Sequence, residues 1–69
     1  MTNPIRQRRR EKDLTQLECS DMIGISRASW SARERRFRTL KFETLAEMCK
    51  VLDLDARKTF DEVRRLNDE

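Results

Sequence analysis

The reactive side chains of this sequence are unsuited to proton transfer near neutral pH: Lys and Arg number 16, Asp and Glu 13, and His is absent. Cys19 and Cys49 lie thirty positions apart with no Cys-x-x-Cys pair, so thiols and imidazoles cannot assemble a zinc site. Both cysteines fall at helix-period apolar positions. They read as small buried hydrophobes in a reducing compartment rather than as a disulfide. Asp53 and Asp55 resemble a carboxylate pair, but a loop and a helix N-cap account for them. One glycine in the whole chain leaves no phosphate-cradling loop, and no nucleophile elbow is present. No catalysis, cofactor, metal or small-molecule ligand is expected. What remains is positive charge, unevenly placed: residues 1–41 carry eleven basic and five acidic groups, residues 42–69 five and eight. One part is +6 and the other −3, the footprint of a face offered to a polyanion, nucleic acid being the commonest.

Those charges must be positioned by a thin scaffold. A chain of 69 residues forms one domain and buries only about 60% of its unfolded surface. It shows no apolar run long enough for a leader or a membrane span, and a cytoplasmic protein is expected. Asn3-Pro4 is an N-cap followed by Pro at the first helical position, opening a helix over 4–12 that holds one large apolar residue, Ile5. Thr15 and Glu18 form a capping box for a second helix from Gln16, with Leu17, Cys19, Ser20 and Ile23 inward and Gly24 as its stop. Ser26 caps a third helix over 27–35, anchored by Trp30. Phe42, Leu45, Met48, Cys49 and Leu52 form the strongest apolar stripe and define a fourth. Asp55 caps a fifth over 56–66, with Ala56, Phe60 and Val63 inward. No strand-like alternation occurs, so the fold is all-α with five helices.

The segment 15–34, TQLECSDMIGISRASWSARE, resembles the helix-turn-helix of the Cro and phage-repressor (XRE-like) family. Thr15-Gln16, Ser20, Gly24, Ile25-Ser26-Arg27, Trp30 and Glu34 carry the likeness, with the motif ending at 35. It continues through Ile5, Arg6, Arg9 and Leu14 before the motif, and through Phe42 to Leu45, Met48 and Leu52 to Leu54 after it. The physics agrees. Two helices that cross closely need a small residue at the contact, Ser20, and a turn free of a Cβ, Gly24.

The resemblance implies a compact helical domain whose third helix enters the DNA major groove. Arg27, Ala28 and Ala32 then face base edges, and geometry adds Ser31 to the same face. Arg27 can bond both O6 and N7 of guanine, a contact worth about 1–3 kcal/mol of discrimination. Gln16 would hold one phosphate and Arg35, Arg36, Arg38 and Lys41 the other strand. Arg9 and Glu34 would form a buried structural ion pair. The implied function is that of a sequence-specific regulator of transcription, a Cro-like repressor that binds an operator in double-stranded DNA as a homodimer. An antitoxin that binds a toxin and its own promoter is the alternative, and shape-based or RNA binding by the basic face is a third reading.

Four positions depart from the family pattern. Arg33 stands where an apolar residue is usual, so either its stem packs and its head reaches out or the helix ends early. Arg36 replaces the usual glycine stop and Lys41 the usual Ser N-cap of the fourth helix. Phe37 replaces a polar residue, and either folds under Trp30 or joins a protein interface. Phe37 and Phe60 are the candidate dimer anchors, intramolecular core being the other reading of Phe60. The basic run of the first helix either touches phosphate or is solvated.

Overall fold

Chain entry into the first helix is set by Asn3, whose Oδ1 accepts the backbone N–H groups of Ile5 at 3.1 Å and Arg6 at 3.2 Å. In the computed structural model, which describes residues 3–67, five helices follow in order. They are α1 (Pro4–Glu11), α2 (Gln16–Ile23), α3 (Arg27–Arg35), α4 (Phe42–Leu52) and α5 (Ala56–Asn67), with a 3₁₀ turn, Phe37–Thr39, between α3 and α4. No strand occurs among the described residues. The Cα radius of gyration is 11.1 Å, about what a chain of this length has when fully condensed.

The expected N-caps are present. Thr15 and Glu18 bond reciprocally at 3.1 and 2.9 Å, Ser26 Oγ accepts from Ser29 N at 3.1 Å, and Asp55 Oδ1 accepts from Lys58 N at 2.9 Å. Lys41 begins α4 with no side-chain cap. Helix ends share one device that the sequence disclosed only at Gly24. A left-handed residue closes α1, α2 and α4, namely Asp13 (φ 58°), Gly24 (φ 70°) and Asp53 (φ 56°). In each case the next N–H bonds back five residues: Leu14 to Arg9, Ile25 to Ser20 and Leu54 to Cys49, at 2.9–3.0 Å. Leu14, Ile25 and Leu54 then pack on the core, which is the apolar contact that accompanies such a closure.

The core consists of Ile5, Cys19, Trp30, Phe37, Leu45, Met48, Cys49, Leu52 and Val63. Four of these come from α4, which touches α1, α2 and α5 and is the helix around which the others assemble. Two long-range bonds tie elements together at their ends: Arg8 Nε of α1 donates to Leu52 O of α4 at 3.0 Å, and Asn67 Nδ2 of α5 to Arg38 O of the 3₁₀ turn at 2.8 Å. Both cysteines are buried and free. Burial pushes both thiols above their ordinary range, which keeps them protonated and unreactive.

The structure corrects several expectations. Leu17 lies outside the core, 54% exposed. Phe37 is 8% exposed and belongs to the core, so it is not available as a dimer anchor. Helix α3 does not end early at Arg33: that side chain is partly covered and its Nη1 stands 3.9 Å from Glu47 Oε1. Helix α1 stops one residue sooner and α5 one residue later than expected.

Gly24 is needed for a reason other than space. A Cβ built there meets nothing within 4 Å, so the glycine is required by its positive φ and not by the helix crossing. Gly24→Ala should lower the unfolding free energy by about 1–2 kcal/mol, the cost of a left-handed non-glycine residue, and Asp53→Gly should relieve the same strain and raise it. Urea unfolding followed by Trp30 fluorescence checks both. A loss well above that range at Gly24 would restore the steric explanation.

Candidate nucleic-acid interface

Helix α3 is amphipathic by a narrow margin, since its only fully buried residues are Trp30 and Glu34. They lie one turn apart and bond to each other, the indole N–H donating to Glu34 Oε2 at 2.7 Å. Arg9 Nε reaches the same oxygen at 3.0 Å, while Arg9 Nη2 and Arg6 Nε reach Oε1 at 3.1 and 3.2 Å. Four donors therefore occupy the lone pairs of one carboxylate. Arg9 Nη1 also donates to Leu14 O at 2.9 Å, and Asn3 Nδ2 to Glu34 O at 2.9 Å. Burial pushes the Glu34 carboxyl upward, but the hydrogen bonds from Arg9, Trp30 and Arg6 and the Arg9 charge outweigh it and hold it below the usual range. The Arg9–Glu34 ion pair inferred from resemblance is thus present, and it is larger than a pair. The sequence reading missed the shares of Arg6, Asn3 and the Trp30 indole. Its available signal was the i, i+4 spacing of Trp30 and Glu34.

With α3 gripped along one edge, the opposite edge is free. Arg27 and Ala28 are exposed, Ser31 and Ala32 half-buried, and Arg35 and Arg36 exposed. Positions 27, 31 and 35 fall on one line of the helix and 28 and 32 on the adjacent one. Ser20 is fully buried on α2, and its hydroxyl is turned back to Leu17 O at 2.8 Å. This lets α2 and α3, which are in contact, approach with no polar atom left over.

The sequence-derived phosphate group is divided by the structure. Arg35, Arg36 and Lys41 are exposed and form no ion pair with a described residue. Arg38 is half-covered, its guanidinium 5.6 Å from the Phe37 ring centroid with Nη2 enclosed and unbonded. It is held away from the free row. Gln16, half-buried at the first position of α2, lines a shallow depression with Arg27, Thr15, Leu17 and Arg10. The start of α2 and the start of α3 thus form one surface. Leu17 is the residue of this surface that the sequence reading assigned to the core.

Phe60, the other dimer candidate, is half-buried and meets Phe42 edge-to-face at 5.3 Å. Among the described residues no group of three or more His, Cys, Asp or Glu could hold a metal ion, and no helix is long and apolar enough to cross a membrane.

A small residue at a helix crossing, a left-handed turn and a second helix whose outer row is free define a DNA-binding helix-turn-helix domain. A family model described as helix-turn-helix matches residues 5–58, and the chain belongs to that family, in its Cro and phage-repressor (XRE) branch. It is accordingly a DNA-binding regulator of transcription. The match takes in α1 to α4 and ends in the first turn of α5. Neither a curated protein nor a solved structure shows significant similarity to the chain.

Removing the charge of Glu34 should be costly because two guanidinium groups lose their common partner. Glu34→Gln is expected to destabilise by about 3–5 kcal/mol. The pH dependence follows from the depressed carboxyl. The contribution is fully present above the unfolded value of about 4.3 and is lost as pH falls through the lower folded value. Thermal unfolding from pH 7 to pH 2 should therefore show an acid limb in the wild type that Glu34→Gln reduces. Equal limbs in both would place the acid sensitivity elsewhere.

Proposed function

We propose that this regulator is a Cro-like repressor that binds an operator as a homodimer, with α3 in the major groove and no cofactor. The observation that supports it is the division of α3 into an edge clamped by Glu34 and Trp30 and a free edge made of Arg27, Ala28, Ser31 and Ala32. A major groove about 12 Å wide admits an α-helix, and two alanines and a serine leave its leading face low. Arg27, at the N-terminal end that penetrates furthest, is the residue that reads a base pair, by a bidentate bond to guanine. Ala28 and Ala32 favour a thymine methyl or leave room.

Gln16 on one side and Arg35, Arg36 and Lys41 on the other contact phosphate, positioning the helix without reading sequence. Arg38 joins them only if its guanidinium leaves Phe37. Pairing on DNA is proposed because one domain of this size covers little duplex, whereas two half-sites one turn apart double the contact. The Phe60 and Phe42 edge of α5 and α4 is the surface proposed for it. Repression follows from occlusion of a promoter, with the protein's own concentration as the control.

Selection from a random duplex pool at about 150 mM salt, where surface attraction is screened beyond about 8 Å, tests this reading with wild type and Arg27→Ala in parallel. The wild type should enrich a palindrome, and Arg27→Ala should lose one base of it. Arg36→Ala should weaken all duplexes alike and lower the salt slope by about one per site. An absence of enrichment would favour the antitoxin-type reading, and an equal loss on every sequence for Arg27→Ala would remove it from base readout.

A further inference from the structure

We propose that Leu17 is a specificity-determining residue that packs on the methyl group of a thymine beside the base pair read by Arg27. This rests on the proposed placement of α3 in the major groove. Three large apolar residues are exposed among those described: Leu17 at 54%, Met22 at 59% and Phe42 at 37%. Phe42 is covered on one side by Phe60 and on another by the Arg57 guanidinium, 5.8 Å from its ring centroid. Met22 lies in a groove with Ile23, Val51 and Lys50, between α2 and α4. Leu17 alone shares a depression with Arg27, whose other walls include Thr15, Gln16 and Arg10.

A single exposed leucine on a protein surface is ordinary; its company is what gives this one a role. It stands in the first turn of α2, next to Gln16 and facing the same depression as the first residue of α3. When Arg27 lies at base edges, Leu17, in the depression that Arg27 shares, faces the same groove. Base pairs present one apolar group in the major groove, the thymine C5 methyl. The leucine side chain has no polar atom with which to bind phosphate, so that methyl is the chemistry it fits. Arg27 and Leu17 then read neighbouring positions by different means, one by hydrogen bonds and one by apolar contact.

The test uses the duplex enriched from the random pool, with each thymine replaced in turn by deoxyuridine, which removes only the methyl. Wild type should lose about fourfold in affinity at one position, the worth of one buried methyl. Leu17→Ala should bind the parent duplex about fourfold or more weakly and lose the methyl sensitivity at that position only, with its circular dichroism and melting unchanged because the residue is not buried. Retention of the same sensitivity by Leu17→Ala, or an equal weakening on every duplex, would overturn the proposal in favour of a sugar-backbone contact. A wild type that enriches no duplex would overturn the groove placement itself, and Leu17 with it.

Discussion

The orientation of α3 depends on one buried carboxylate. An ionised group removed from water carries a desolvation cost of several kcal/mol, which only a complete set of partners offsets. Glu34 has that set, two guanidinium groups, an indole N–H and no free lone pair. Its donors come from two helices, Arg6 and Arg9 from α1 and Trp30 from α3, so that the network can be complete in one relative placement only. Apolar burial alone would not achieve this. Trp30 is the one apolar side chain that α3 buries fully, and a single anchor leaves rotation about itself. The charge network removes that freedom, and it makes α1, which touches no groove in the proposed mode, a determinant of what α3 presents.

The fold was legible because four of the five helix starts carry a polar cap of short reach and the fifth, that of α4, opens the strongest apolar stripe, and such signals are local. Gly24 was legible as a left-handed stop, and its positive φ bears that out; the second reason read for it, close contact at the helix crossing, fails, because the space around its absent Cβ is open. Asp13 and Asp53 do the same work with greater strain, and their role could be seen only as a break in periodicity. Phe37 was not legible. A 3₁₀ turn of three residues is too short to show a period, and the burial of its ring depends on α5 returning to that turn, where Asn67 bonds Arg38 O. That contact spans 29 residues.

Leu17 exposes the limit of apolar pattern reading in a short helix. At about 100° per residue, Gln16, Cys19, Ser20 and Ile23 fall together, while Leu17 and Met22 lie on opposite flanks roughly 100° from the centre of that strip. Counting hydrophobic residues placed Leu17 inside, whereas the angles put it at the margin. Packing then decides, and α3 and α4 cover the strip without reaching either flank. Of the site residues, Arg9 and Glu34 were legible through resemblance, and the free row of α3 through its small side chains. The withdrawal of Arg38 onto Phe37 was not, because it follows from the burial of a ring that was itself not predicted.

Charge arithmetic gave the sign of the interaction surface and overstated its size. Of the eleven basic residues in positions 1–41, Arg6 and Arg9 are committed to Glu34, Arg8 to the carbonyl end of α4, and Arg33 faces Glu47. These arginines build the scaffold. Arg8 at a helix C-terminus meets orphan carbonyls that a cation satisfies well; it is no more available to a phosphate than Arg9. Apart from Arg10 and Lys12, exposed at the end of α1, the groups left for a polyanion stand at the start of α3 and from Arg35 to Lys41, the two ends of the helix that the network holds. A few charges fixed at both ends of a low-faced helix orient it along a groove better than many distributed at random, because each phosphate contact constrains register only if its side chain projects from a rigid element. The buried carboxylate and the free arginines are thus parts of one arrangement, and in the proposed mode the first sets the angle at which the second meet the duplex.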